Sequence, residues 1–236
     1  MRQLKNWDNK TWLSSKKYIL SFNNFLKNNI RIKKSSTILD IGCGRANIIS
    51  LLQNKYNLNQ KPIGIDIIKN NNIKKNIIFK KIDAIKYLKN TKKNFDLILI
   101  KQTIHFFSKK KIKMLIKLAK LRLNKNGKIF ILSLEPKNNE IPCFKLMKFA
   151  LKKSLKKDYH LMNFIKRELK KFIKKNYNFK VIISKKNYIR MLKNRYISCL
   201  LNMSKKKIIQ GINEFSSKHK NRIVFNDKLI CLIYKN

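Results

Sequence analysis

Acidic residues are scarce in this chain. There are 11 Asp+Glu against 58 Lys+Arg in 236 residues, a formal net charge of +47. Uninterrupted apolar runs of the ~18 residues a bilayer demands are absent, which excludes a membrane-spanning helix. The stretch from Met1 to Trp12 has no apolar core, so no signal peptide is expected. The four cysteines, Cys43, Cys143, Cys199 and Cys231, form no C-x-x-C pair. That spacing supports neither a zinc site nor a disulfide framework, and reduced thiols in a cytoplasmic protein are expected. No metal site is expected. There is no internal repeat.

Arginine is scarce too, at 8 of the 58 basic residues. A reader of nucleic acid is expected to favour arginine, whose planar fork grips phosphate and guanine at two points. Lysine (50), isoleucine (36) and asparagine (30) dominate instead. All three are encoded by A/T-rich codons, so much of the charge reflects composition rather than a polyanionic partner. The lysine runs read as solvated helix faces. Hydrophobic residues make up 44% of the chain, which excludes a disordered polycation. The length suits one domain able to bury a core without staples.

Strands and helices alternate over the first half. A helix is expected from about Ser14 to Asn29, with Tyr18, Ile19, Phe22, Phe25 and Leu26 on one face. Thr37–Ile41 reads as a strand, Ala46–Tyr56 as a helix, and Pro62–Ile67 and Ile77–Ile82 as strands. Phe95–Ile100 is apolar enough to be buried on both faces. A helix over Lys109–Leu123, a turn at Asn126-Gly127 and a strand over Lys128–Leu134 follow. Beyond Pro136 the pattern changes. Lys-rich helices are expected over 141–176 and 187–218, with strands at Phe179–Ser184 and Arg222–Tyr234 and a possible turn at Asn226-Asp227. Alternation of this kind predicts a parallel sheet in an α/β domain.

Chemistry concentrates at Asp40-Ile41-Gly42-Cys43-Gly44. A strand runs into a tight glycine turn and then a helix. Glycine permits positive φ and close approach to a ligand, and the helix offers free N–H groups. Asp66 ends the second strand, where it can grip a ribose diol, and Asp83 ends the third. Two cofactors compete for this layout. A dinucleotide site wants G-x-G-x-x-G, but its third glycine position holds Asn47. Asp40 would also repel a pyrophosphate. A ligand carrying an amino group and a sulfonium would welcome it, and S-adenosyl-L-methionine is such a ligand. Five acids, Asp40, Asp66, Asp83, Asp96 and Glu135, fall near strand ends. Of these, Asp96 begins its strand, away from the ligand edge.

The ordered segments resemble class I S-adenosylmethionine-dependent methyltransferases, most nearly the small-molecule "methyltransferase type 11" group. Asp40–Gly44 is similar to the first motif of that family, Gly64-Ile65-Asp66 to the second and Ile82-Asp83-Ala84 to the third. Phe95–Ile98 with Ile104-His105-Phe106-Phe107 resembles its fourth strand and following loop. Leu121–Lys128 resembles the family's R-x-L-K-P-G-G stretch, with Asn126 in place of the proline and Lys128 in place of a glycine. The third glycine of the family's D-x-G-x-G-x-G is Ala46 here. The resemblance covers about Ser36 to Pro136.

That resemblance implies a Rossmann-like α/β fold. Its seven-stranded sheet would be mostly parallel with an antiparallel last strand, and helices would cover both faces. It implies a single domain, 1–236. Residues 1–35 would form an N-terminal helical lid, with Trp7 and Trp12 closing over the cofactor or packing as anchors. Residues 36–136 would form the cofactor-binding core, 137–178 and 185–221 helical insertions capping the acceptor, and 179–184 and 222–236 the last strands. Gly42, Cys43 and Gly44 would cradle the methionine end, Asp66 and Ile67 the ribose, and Asp83 and Ala84 the adenine. Lys101 and Gln102 would lie near the transferred methyl.

His105 is the candidate base or substrate contact. Tyr188 and Arg195 are the candidate acceptor contacts, Arg195 as a clamp for a carboxylate or phosphate. His160 and His219 read as surface residues. The expected reaction is in-line methyl transfer to a small-molecule acceptor. An RNA or protein methyltransferase, or a non-catalytic homologue, is the alternative. No Asn/Asp-Pro-Pro-Tyr segment follows the fourth strand, and Pro142-Cys143 follows the fifth, so the signatures of nucleobase-modifying enzymes are missing.

Overall fold

A computed structural model describes residues 11–236. Seven strands form one sheet in the order β3-β2-β1-β4-β5-β7-β6. They are β1 (Ile38–Ile41), β2 (Ile63–Asp66), β3 (Ile78–Lys81), β4 (Phe95–Lys101), β5 (Leu123–Leu134), β6 (Ile173–Ser184) and β7 (Arg222–Lys235). β1 to β5 pair in parallel, and β7 runs antiparallel to both β5 and β6. Seven α-helices accompany them among the described residues: α1 (Lys16–Asn29), α2 (Asn47–Tyr56), α3 (Ala84–Asn90), α4 (Lys109–Leu121), α5 (Lys145–Leu169), α6 (Lys185–Lys193) and α7 (Lys205–Lys218). The expected Rossmann-like sheet, mostly parallel with an antiparallel last strand, is the one observed.

β4 shows why the central strands read as unbroken apolar runs. Leu97 and Leu99 belong to the core on one face, and Ile98 and Ile100 to the core on the other. Helices α1, α2, α6 and α7 cover the first face, and α3 and α4 the second. Serine hydroxyls start four of the helices by accepting N–H groups of the first turn, at Ser15, Ser108, Ser184 and Ser204. The lysines at 109–111, 113 and 117 on α4 and at 152, 153, 156 and 157 on α5 are exposed.

Helix α5 is the long connector. Met147, Leu151 and Leu155 join the first core, whereas Met162, Ile165 and Leu169 join the second. Its 25 residues therefore pass around the sheet from one face to the other, and its middle turn is left over the ligand edge.

Several boundaries differ from the sequence reading. The helix expected over 187–218 is two helices, α6 and α7, with 194–204 between them. β5 begins at Leu123 and runs through Asn126-Gly127, where Asn126 takes φ 65° instead of making a free turn. α3 is only seven residues long and was not read as a helix. β6 begins at Ile173, so 173–178 belong to the sheet and not to a helical insertion. Its alternation is hidden because β6 is an edge strand that spends lysine and asparagine on its open side. Asn226-Asp227 is no turn: β7 is continuous through both.

Candidate active site

The strand order reverses between β1 and β4, and their carboxyl ends open a crevice there. Gly42-Cys43-Gly44 leaves β1 on one side of it, and Lys101-Gln102-Thr103 leaves β4 on the other. Gly42 (φ 74°) and Gly44 (φ 53°) both use the left-handed region. Gly42 has a second constraint, because a Cβ built there would lie 2.1–2.7 Å from the side chain of Thr103. The loop is pinned to β2: the Gly42 and Cys43 amides donate to the Ile65 carbonyl at 2.8 and 3.2 Å. Cys43 lies against Gly64, whose Cβ would meet its Sγ at 2.8 Å.

Ala46 starts α2 with φ 59° and is fully buried. The residue standing at the family's third glycine position thus keeps a glycine-like backbone. Left-handed φ costs an L-residue roughly 1–2 kcal/mol, and glycine's extra chain entropy returns roughly half of that. Ala46→Gly is accordingly expected to stabilise the protein by about 0.5–1 kcal/mol, read as a raised urea midpoint with unchanged slope.

Three carboxyls meet the crevice differently. Asp66 Oδ2 accepts the Gly44 amide at 3.1 Å and Oδ1 the Ile68 amide at 3.0 Å. A carboxylate offers about four lone-pair sites, so both oxygens keep capacity for a diol. Ile67 beside it is 59% exposed, an apolar face next to that carboxylate. Asp83 caps α3 through Oδ1, which accepts the Ile85 and Lys86 amides, and Ala84 is buried behind it. Asp40 is buried, and its carboxyl is pushed up to about 7 by burial, with the Lys101 ammonium pulling it down and Asp66 pushing it further up. Arg45, next to Gly44, has its Nε buried without a hydrogen-bond partner.

Asp96 does not join this edge, and Glu135, though it follows the carboxyl end of β5, turns away from the crevice. Asp96 ties Thr37 to Asn124 at the opposite end of the sheet, and Glu135 accepts the amide of Lys137 in its own turn.

Lys101 bonds Gln102 Oε1 at 3.0 Å and lies 5.1 and 5.4 Å from the ring centroids of Tyr18 and Phe22. Gln102 takes φ 53°, a strained value for a residue with a side chain, at the mouth of the crevice. Beyond it opens a cleft. Its lining includes Trp12, Gln102, His105, Asp158, Tyr196 and Asp227. Burial lowers His105 to about 4, so its imidazole is neutral at physiological pH. Burial raises Asp158 to about 6.

Asp227 is the residue the sequence reading missed. It is fully buried, and its Oδ2 accepts the Trp12 indole N–H at 3.0 Å across 215 positions of sequence. Its Oδ1 and the neighbouring Tyr18 hydroxyl come close without reaching hydrogen-bond geometry. Burial raises its carboxyl, while the Trp12 bond and Lys101 lower it. The signal was present in the alternation: Ile223, Phe225, Asp227 and Leu229 share one face of β7, and the other three are core residues.

The two expected acceptor contacts lie elsewhere. Tyr188 is fully buried, with its hydroxyl 2.6 Å from the Pro142 carbonyl and 2.8 Å from the Tyr196 hydroxyl. Arg195 takes φ 53° and donates from Nη1 to the carbonyls of Leu200 and Leu201 at 3.3 and 2.7 Å. Its guanidinium thereby closes the end of the loop that follows α6. Trp12 is buried edge-on to Tyr196 and Phe225. Trp7 lies outside the described residues. His160 is exposed, and His219 is half-buried on Phe215.

A seven-stranded sheet of this order, with its glycine loop at the switch point and a carboxylate ending the next strand, defines a class I methyltransferase architecture. Residues 32–148 match the family model described as a methyltransferase domain. Match and fold together identify a methyltransferase domain, similar in fold to S-adenosylmethionine-dependent methyltransferases. No curated protein matches it in sequence.

Solved structures share the fold at low identity. A SAM-dependent methyltransferase from Archaeoglobus fulgidus is 19% identical, with 92% of this chain and 94% of that one covered and a TM-score of 0.54. A methyltransferase from an antibiotic biosynthesis pathway of Anabaena variabilis is 13% identical, with 90% and 96% covered and a TM-score of 0.60. The N-methyltransferase NodS from Bradyrhizobium japonicum, bound to S-adenosyl-L-homocysteine, is 10% identical, with 97% and 92% covered and a TM-score of 0.51. Among the described residues no helix is long and apolar enough to cross a membrane, and no group of His, Cys, Asp and Glu could hold a metal ion.

Proposed function

We propose that the chain transfers the methyl group of S-adenosylmethionine to a small molecule held in the Trp12–Asp227 cleft. The observation that carries this reading is the cleft itself, walled by Trp12, Phe106 and Tyr196 and opening beside Gln102 at the cofactor edge. α5 and the segment 196–198 line it from the C-terminal half, and Trp12 and Leu13 from the N-terminal segment. Residues 11–35 then act as the lid, and 137–172 with 185–221 as the acceptor cap. The four cysteines are free thiols, which suits a cytoplasmic enzyme.

The residues present fit the cofactor. Gly42 and Gly44 leave the loop open to its methionine end, Asp40 faces its cationic groups, and the unpaired Arg45 Nε suits its carboxylate. Asp66 takes the ribose hydroxyls, Ile67 and Ala84 flank the adenine, and Asp83 borders it. The cofactor supplies an electrophilic methyl on a sulfonium. The protein's own contribution is alignment and exclusion of water. Gln102 and the Lys101 it bonds border the methyl, the apolar cleft walls dry the site, and neutral His105 can accept a hydrogen bond or a proton from the acceptor.

Asp40 gives the site a pH signature. Its carboxyl lies above the ordinary range, so in the ligand-free protein its contribution to stability is full below about pH 4 and is lost as pH rises to about 7. A cationic ligand favours the ionised form. Cofactor affinity is therefore expected to rise about tenfold from pH 6 to 8, measured by calorimetry at constant ionic strength. A flat profile would remove Asp40 from the contact.

The acceptor class is tested by incubating the protein with methyl-labelled cofactor and either a small-molecule extract or purified RNA and protein. Label in the small-molecule fraction is expected. Label confined to RNA or protein would overturn the reading.

A further inference from the structure

The cleft is chemically out of keeping with the chain around it. Basic residues are 58 of 236. Yet among the described residues no lysine or arginine lines the cleft, and its two formally charged side chains, Asp158 and Asp227, are both acids. Only 11 acids exist to supply them.

Asp158 sits on the middle turn of α5, flanked in sequence by Lys156 and Lys157, both exposed. It makes no hydrogen bond or ion pair with another described residue, and its carboxyl is raised by burial alone. Asp227 is fully buried, and its Oδ1 has no hydrogen-bond partner. The basic group nearest in effect is Lys101, which acts on Asp227 and not on Asp158. Aromatic faces complete the walls: Trp12, Tyr196 and the half-exposed Phe106.

A carboxylate or phosphate acceptor would meet two acids and no cation in this space. A protonated amine would meet two carboxyls and three rings, the surroundings that favour an ammonium. The geometry points to a small amine as the methyl acceptor, its nitrogen held by Asp158 between the aromatic walls and beside Gln102. This rests on the cleft being the acceptor site of a methyltransferase, as proposed above. It replaces the anion clamp that Arg195 suggested in the sequence.

The chemistry balances without a further reactant. The bound ammonium gives one proton to the Asp158 carboxylate, which passes it to solvent at the cleft mouth. The freed nitrogen lone pair forms the new N–C bond as the C–S bond breaks. The breaking bond's electron pair stays on sulfur, which becomes a neutral thioether. Asp227 holds its wall in place through the Trp12 indole.

Binding can be read without turnover. With the indole nitrogens of Trp7 and Trp12 labelled, the protein saturated with S-adenosyl-L-homocysteine is titrated with 2-phenylethylamine, tyramine and 1,4-diaminobutane. The matched anions are 3-phenylpropionate, 4-hydroxyphenylpropionate and butanedioate. At least one amine is expected to shift an indole signal saturably and to bind at least tenfold more tightly than its matched acid. Asp158→Asn is expected to weaken that amine about tenfold, and Asp158→Glu to restore part of the loss. Equal or tighter binding of the acids would overturn the inference. So would amine affinity unmoved by Asp158→Asn, or no binding by any amine. Calorimetry of the homocysteine product on the same sample separates the two levels. Product binding with no amine binding refutes the amine and leaves the methyltransferase reading intact, whereas loss of both refutes the site.

Discussion

Gly42→Ala is expected to abolish cofactor binding while leaving the protein folded. Two penalties fall on one methyl group. The backbone there holds φ 74°, which costs an L-residue roughly 1–2 kcal/mol. The added Cβ would also lie within 2.7 Å of three Thr103 side-chain atoms. Thr103 cannot swing away without cost, because its Oγ1 donates to the Lys101 carbonyl at 3.2 Å and sits near that of Gly42 at 3.5 Å. The loop must therefore shift, and the amides it presents to the ligand shift with it. A loss of at least 100-fold in affinity is expected, about 2.7 kcal/mol, read by calorimetry beside a circular dichroism melt. The contrast with Ala46→Gly is the control. Two small-residue exchanges in one loop, four positions apart, have opposite expected signs because one adds a Cβ at positive φ and the other removes one.

Asp227→Ala carries the second large effect. The change strips the acceptor from a buried indole N–H and removes a carboxyl that balances Lys101. A buried donor left unsatisfied costs about 1–3 kcal/mol, and breaking a buried charge arrangement about 3–5 kcal/mol. Asp227 itself resists burial, which offsets part of this, so a net loss of about 3 kcal/mol is expected in urea unfolding. Asp227→Asn keeps an acceptor for Trp12, and it is expected to lose less than half as much. Methyl transfer should fall in both variants, because Trp12 is a wall of the cleft. A stable Asp227→Ala protein with a normal indole environment would show that the N-terminal segment is held by something else.

How much of this was legible in the sequence depends on the range of the interaction. The glycine loop, Asp66 and the two-faced strand β4 are local patterns. Positive φ leaves glycines in a row, and a strand buried on both faces leaves no polar alternate. The sheet and its cofactor edge could therefore be read directly. The cap could not. Tyr188 and Arg195 stood out by residue type, but their partners, the carbonyls of Pro142, Leu200 and Leu201, are main-chain groups that no sequence displays. Asp158 was masked by the two lysines before it, although Leu151, Leu155, Met162 and Ile165 place it on the inward stripe of α5. Asp227 was hidden by its neighbour Asn226, because Asn-Asp is a common turn pair. Only the apolar residues two positions to either side, Phe225 and Leu229, betrayed its inward register. β6 failed for a related reason: an edge strand rich in lysine has the composition of a solvated helix.

The charge of +47 also reads differently once the surface is visible. Most lysines of α4 and α5 face solvent, while none lines the cleft between α5 and β7 among the described residues. The chain is basic where its surface is free to drift and acidic where a ligand is to be held.

Calorimetric titration of S-adenosylmethionine into the wild-type protein and into Asp66→Ala at pH 8 tests the central claim most directly. Asp66 joins the glycine loop to the end of β2 through the Gly44 and Ile68 amides and offers its remaining lone pairs to the ribose. One site per chain in the wild type, and a loss of at least 100-fold in Asp66→Ala, is the predicted result. No heat in the wild type, or equal affinity in the two proteins, would contradict the account.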